Sequence, residues 1–142
     1  MSKDIRIKKG LDIKLVGNAE KATENAIVSN FYSVRPEDFH SIIPKLIAKE
    51  GTHVKAGDTL FHNKDYEAMK FVSPVSGEVT EVQRGPRRRI DAIKITADKE
   101  QVYVDHGKFD LSSDADKLKA HLLQSGCWAF IKQRPYDIVA NP

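Results

Sequence analysis

Short stretches of alternating apolar and polar residues, broken by glycine and proline, fill most of the chain up to Val104. Ile5 and Ile7 alternate with basic residues, and Leu11–Val16 follows Gly10 as a second apolar run that Gly17-Asn18 closes. A two-residue period places one face of a strand on a core, so these read as two short strands joined by a turn. Asn18–Asn25 is polar and reads as loop, and Ala26–Val34, with Ile27, Val28, Phe31 and Tyr32, as a strand. Pro36-Glu37-Asp38-Phe39 predicts a turn, because proline fixes φ and aspartate suits a turn position.

From Ile43 the punctuation becomes regular. Pro44–Ala48 predicts a strand with proline at its start, where a missing N–H is tolerated. Turns follow at Gly51 and Gly57, and a strand leads from Thr59 to Phe61. His62–Tyr66 is polar, with a hairpin tip expected near Lys64-Asp65-Tyr66. Phe71-Val72 runs into the turn Ser73–Gly77, and Glu78–Val82 alternates cleanly. Arg84–Arg89 is a charged turn around Gly85-Pro86, Ile90, Ile93 and Ile95 mark the next strand, and Val102 and Val104 one more.

The tail changes period. Ser112 or Ser113 is suited to cap a helix with Asp114 and Asp116 in its first turn, where the dipole favours negative charge. Ala115, Leu118 and Leu122 form an apolar stripe at helical spacing, and Gly126 suits the left-handed residue that ends a helix. Trp128–Ile131 supplies an apolar anchor, and Arg134-Pro135-Tyr136 returns to irregular chain. The pattern as a whole predicts a mainly β protein with a C-terminal helix, α+β in class. A β-rich domain over residues 1–110, with its core in 43–97, is followed by a helix and tail over 111–142.

Composition adds exclusions. Of 142 residues, 40% are apolar and 30% charged, too apolar for a disordered chain, and the net charge of +3 is too weak a bias to imply nucleic acid. Cys127 is the single cysteine, so no intrachain disulfide or thiolate cluster forms, and its place beside Trp128 suggests a buried packing residue. No stretch approaches the roughly 20 apolar residues of a membrane span, and the start of the chain lacks the apolar run of a signal peptide.

Three features bear on chemistry. Arg84, Arg87, Arg88 and Arg89 cluster on one turn, and guanidinium groups bind carboxylates and phosphates through paired hydrogen bonds. No aromatic residues interleave them, which disfavours nucleic acid. The five histidines, His40, His53, His62, His106 and His121, lack metal-ligand spacing, so no metal site is expected. Ala68-Met69-Lys70 is similar to the biotin-accepting tripeptide of carboxylase carrier domains, and the segments Glu50–Leu60 and Ser73–Val79 resemble the biotinyl/lipoyl-carrier fold, a barrel-sandwich hybrid. In that family the accepting lysine sits at a hairpin tip, a full strand before the Pro-x-x-Gly turn. Lys70 lies only four residues before Pro74, so it falls on the strand, with Met69 pointing inward, and a covalent cofactor there is rejected.

The longer resemblance is to the A subunit of the Na⁺-translocating NADH:quinone reductase. It rests on Ile5–Asp12, on Lys70–Val79 followed by Arg84-Gly85-Pro86-Arg87-Arg88, and on Leu123-x-Ser125-Gly126-x-Trp128 with Arg134-Pro135-Tyr136. The chain departs from the family pattern at Phe31–Ile43 and at Asn63–Met69, which replaces an Asn-Pro-Gly turn. The resemblance implies an N-terminal docking or structural part of a peripheral subunit, on the cytoplasmic side of the inner membrane and held there by partner subunits. The complex would couple electron transfer from NADH to quinone with Na⁺ export, and the family's later domains would begin after Pro142. No catalytic residue or cofactor is expected in this part, flavins and an iron–sulfur cluster belong to other subunits, and quinone lies near the full-length subunit. A carrier domain modified at Lys70, or a part of the Rnf electron-transport complex similar to its C subunit, are the alternatives.

Overall fold

The computed structural model describes residues 6, 10, 15–110 and 112–142. Among the described residues nine short strands and one α-helix follow in the order β1 (Phe31–Val34), β2 (Pro44–Leu46), β3 (His53–Val54), β4 (Thr59–Asn63), β5 (Tyr66–Val72), β6 (Gly77–Arg84), β7 (Ile90–Ala97), α1 (Ala115–Gln124), β8 (Lys132–Gln133) and β9 (Ile138–Val139). A four-stranded sheet runs β1-β7-β6-β3, a three-stranded sheet runs β2-β4-β5, and β8-β9 is a separate hairpin. Every strand pair is antiparallel.

The two larger sheets close on one apolar interior. Val79, Ile93 and Ile95 come from the first, and Leu60, Phe61, Met69 and Phe71 from the second. Phe61 and Phe71 stack with ring centroids 4.7 Å apart, and Phe39 meets Phe71 edge-on at 4.7 Å. Burying each of these side chains stabilises the fold by about 1.5–3 kcal/mol before conformational entropy is counted. Leu123, Ala129 and Val139 join the same cluster, so the C-terminal elements pack onto the β layers.

The mainly β class, the strands around 43–97, the hairpin tip at Lys64-Asp65 and the inward Met69 agree with the sequence pattern. Gly126 is left-handed at φ 77°, directly after the helix C-cap Ser125. Other expectations are corrected. The strand placed at Ala26 starts at Phe31, because Ile27 and Val28 are exposed and find no core. β4 continues through His62 and Asn63, which are buried rather than looped out. Their polar atoms are satisfied locally: His62 Nδ1 bonds the Asn63 carbonyl at 3.0 Å, and Asn63 Oδ1 accepts from the Ile43 and Asp65 amides. Val102 and Val104 form no full strand, only a bridge in which the Ala56 amide donates to the Val102 carbonyl and the Val104 amide to the Ala56 carbonyl. Asp114, not Ser112 or Ser113, caps the helix, accepting from the Lys117 amide at 2.8 Å. Leu123 is the helix's buried residue, whereas Ala115 and Leu118 are exposed, and Cys127 is exposed too. Arg134–Asp137 is the turn of the β8-β9 hairpin. Of the two N-terminal strands expected over Ile5–Val16, most positions lie outside the described residues; Leu15 and Val16 are exposed and belong to no strand.

Candidate functional site

The arginine turn is built by a break in strand register. Gln83 pairs with Ala92 and Arg84 with Ile90, so Asp91 is an extra residue on β7. A bulge of this kind re-aims a side chain, and here the Asp91 carboxylate lies against the turn. A Cβ at Gly85 would sit 2.3 Å from Asp91 Oδ2, so a larger residue there would displace the carboxylate from its place against the turn. Arg89 Nε donates to Asp91 Oδ1 at 2.8 Å.

Between Gly85 and Arg89 the chain makes one tight turn, Pro86–Arg88, closed by the Arg89 amide donating to the Pro86 carbonyl at 3.2 Å and flanked by the Gly85 amide donating to the Arg89 carbonyl at 2.9 Å. Arg87 and Arg88 both have positive φ, 57° and 61°, a region that few residues other than glycine occupy. Arg84 Nη1 donates to the Arg88 carbonyl at 3.2 Å and braces the turn from below. All four arginines are exposed. Arg84 and Arg89 thus hold the turn, while Arg87 and Arg88 have no side-chain hydrogen bond or ion pair among the described residues.

Two depressions flank the turn. One, about 480 Å³, is lined by Leu46, Lys49, Glu50, Val82 and Arg84. The other, about 250 Å³, includes Pro36, Phe39, Ile42, Pro44 and Arg89 in its lining. Ile42, Pro44 and Leu46 alternate along one side of the β2 segment, which puts both depressions beside that strand. Two acids nearby are held by neighbouring groups. Glu50 Oε1 accepts from the Val82 amide at 2.7 Å, and Glu37 pairs with Arg35. Arg84, Arg87, Arg88 and Lys49 outweigh the Glu50 carboxylate, so the excess charge here is positive. This arrangement suits capture of an anionic group.

The other candidates are placed apart. Lys70 lies within β5 opposite His62, six residues beyond the hairpin tip at Lys64. On the same sheet Lys45 Nζ, from β2, donates to Glu67 Oε1 at 3.0 Å; this bond and the Lys45 charge hold the Glu67 carboxyl below its ordinary value. His53 pairs with Asp98 at 3.0 Å, and His106 and His121 meet only ring to ring, at 6.3 Å. Among the described residues no group of three or more His, Cys, Asp or Glu side chains is placed to hold a metal ion, and no helix is long and apolar enough to cross a membrane. Asp91, Glu50 and Lys49 escaped the sequence reading of the site. The signal for Asp91 was its position two residues after Arg89, which puts the two side chains on one face of an extended chain.

The family model of the NqrA N-terminal barrel-sandwich hybrid domain matches residues 5–98. The chain belongs to the NqrA family. A second family model, the NqrA second alpha/beta domain, matches residues 113–142. Curated NqrA proteins, each named as the A subunit of a Na(+)-translocating NADH-quinone reductase, are similar along nearly the whole chain. The one from Tolumonas auensis is 36% identical over 139 residues, covering 94% of this chain. Those from Vibrio vulnificus and Marinomonas sp. are 34% and 31% identical, covering 95% and 94%. The chain spans 31% of the length of each of these relatives. The arginine turn and both flanking depressions lie inside the NqrA barrel-sandwich match.

Proposed function

We propose that this chain is a docking and structural part of the A subunit in a Na⁺-translocating NADH:quinone reductase. The family match over residues 5–98 carries the reading. The fold supports it, because the β sandwich presents a rigid surface and lacks a mobile arm: Lys70 is a strand residue in register with His62. In this proposal the complex moves electrons from NADH to quinone and exports Na⁺, with flavins and an iron–sulfur cluster on other subunits. The chain sits on the cytoplasmic side, held to the inner membrane by those subunits, with quinone near the full-length subunit. We place the division between the β domain and the C-terminal helical segment near residue 110, and assign Arg84, Arg87, Arg88 and Arg89 to partner or anion contact.

The carrier alternative depends on Lys70 reaching a hairpin tip, which its pairing in β5 opposes. The test is affinity purification of the tagged chain from solubilised membranes that contain the remaining reductase subunits. Recovery of those subunits in fixed ratio is expected. Recovery of none, from membranes where the intact complex is present, would sink the proposal.

A further inference from the structure

We propose that the arginine turn and its two depressions form one docking surface for a protein segment of particular chemistry. That segment carries adjacent carboxylates at its centre and apolar side chains on both sides. The inference rests on the docking role above and specifies its partner.

Charge comes first. Arg87 and Arg88 project from a turn that Arg84, Arg89 and Asp91 hold in place, so their guanidinium groups are presented on a fixed base. Lys49 lies at the edge of the larger depression with no ion pair among the described residues. Asp91 is paired with Arg89 and Glu37 with Arg35, while Glu50, held by the neutral Val82 amide, sets one carboxylate against Arg84, Arg87, Arg88 and Lys49. A patch with this excess of cations is complementary to acids from outside.

Shape supplies the rest. Phosphate alone would need only the turn. Here the turn stands between an opening lined by Leu46 and Val82 beside Lys49, Glu50 and Arg84, and another lined by Pro36, Phe39 and Ile42 beside Glu37, His40 and Ser41. Apolar lining next to fixed cations matches the usual interface plan of apolar anchors around a few oriented polar contacts. An inorganic anion or a lipid headgroup makes no use of both openings, whereas a peptide segment with apolar side chains on each side of its carboxylates fills them.

The experiment measures binding of the 142-residue chain to a fluorescein-labelled peptide with an Asp-Glu centre and a Leu-Phe pair at each end. Binding that weakens with salt is expected. R87A and R88A should each reduce affinity by about tenfold, the usual scale for losing a hydrogen bond to a charged group. Leu46→Asp should also weaken it, and a peptide with Asn-Gln at its centre should bind poorly. Circular dichroism of each variant confirms folding, and Lys99→Ala, a surface change away from the patch, should leave affinity unchanged. The proposal is overturned if the peptide does not bind, or if a peptide with its Leu-Phe pairs replaced by serine binds equally well. It is equally overturned if inorganic phosphate or phosphatidylglycerol vesicles show the arginine dependence and the peptide does not. Any of these results, alongside normal recovery of the reductase subunits, removes this surface and leaves the broader docking role standing.

Discussion

At Glu67 a single surface pair sets a titration. Lys45 donates to its carboxylate and adds its positive charge, so the folded carboxyl loses its proton more readily than a free one. The sign follows from linkage: a lowered folded value gives a stabilising contribution present at neutral pH and lost as the solution acidifies below the ordinary carboxylate range. Replacing Lys45 with alanine should return the Glu67 titration, read by side-chain NMR, toward its ordinary value. Because the pair is fully exposed, its effect on the unfolding midpoint at neutral pH should be small. Polar residues were the hardest to read from sequence for a related reason. His62 and Asn63 are polar in type, yet the backbone amides of Ile43 and Asp65 and the Asn63 carbonyl are on hand to satisfy them, so they enter the core. A partner as far along the chain as Ile43 does not register in a local pattern.

Helix α1 shows how an element depends on its two ends. Asp114 satisfies the Lys117 amide at the start, and D114A should cost about 1 kcal/mol in chemical denaturation. At the far end Gly126 combines a left-handed backbone with close contact: a Cβ there would lie 2.7 Å from Val72 Cγ1 on β5. G126A should therefore destabilise by more than the cap mutation, about 1–3 kcal/mol, measured by the same denaturation. Gly126 was legible as a helix stop because its chemistry is local. The cap was misplaced by one or two residues because serine and aspartate are equally suitable there. The buried side of α1 was missed because it is set by where Val72 stands, and Leu123 rather than Leu118 faces that way. Much the same holds for the arginine turn: four arginines around Gly85-Pro86 are plain in the sequence, but the bulge that lets Asp91 grip Arg89 exists only once β6 and β7 pair.

Across the whole molecule, the C-terminal elements and the β layers share one interior. Leu123, Ala129 and Val139 belong to the same buried cluster as Phe61 and Phe71. Two family models divide the chain between residues 98 and 113, yet packing crosses that line. A chain ending at Asp110 should unfold at a lower denaturant concentration than the 142-residue chain, since the β5 surface around Val72 would lose its cover. Equal midpoints would mean that the β layers stand alone. The succession of strands along residues 43–97, and the helix after them, could be read ahead because periodicity and glycine placement are local signals. How the tail closes over β5 could not, since that contact joins Gly126 to Val72, far apart in the chain.

Arg87 and Arg88 place an unusual demand on the sequence. Their left-handed backbone would be most easily occupied by glycine, and each non-glycine residue there carries a conformational cost of about 1–2 kcal/mol. Glycine at either position should leave the unfolding midpoint nearly unchanged, since the relieved strain offsets the extra freedom of the unfolded chain. Valine should lower it markedly, because a β-branched side chain is a true outlier at positive φ. These two sites are therefore where thermal robustness is indifferent to a change that recognition is not: screening for stability alone would pass glycine as readily as arginine and silently erase the cationic surface.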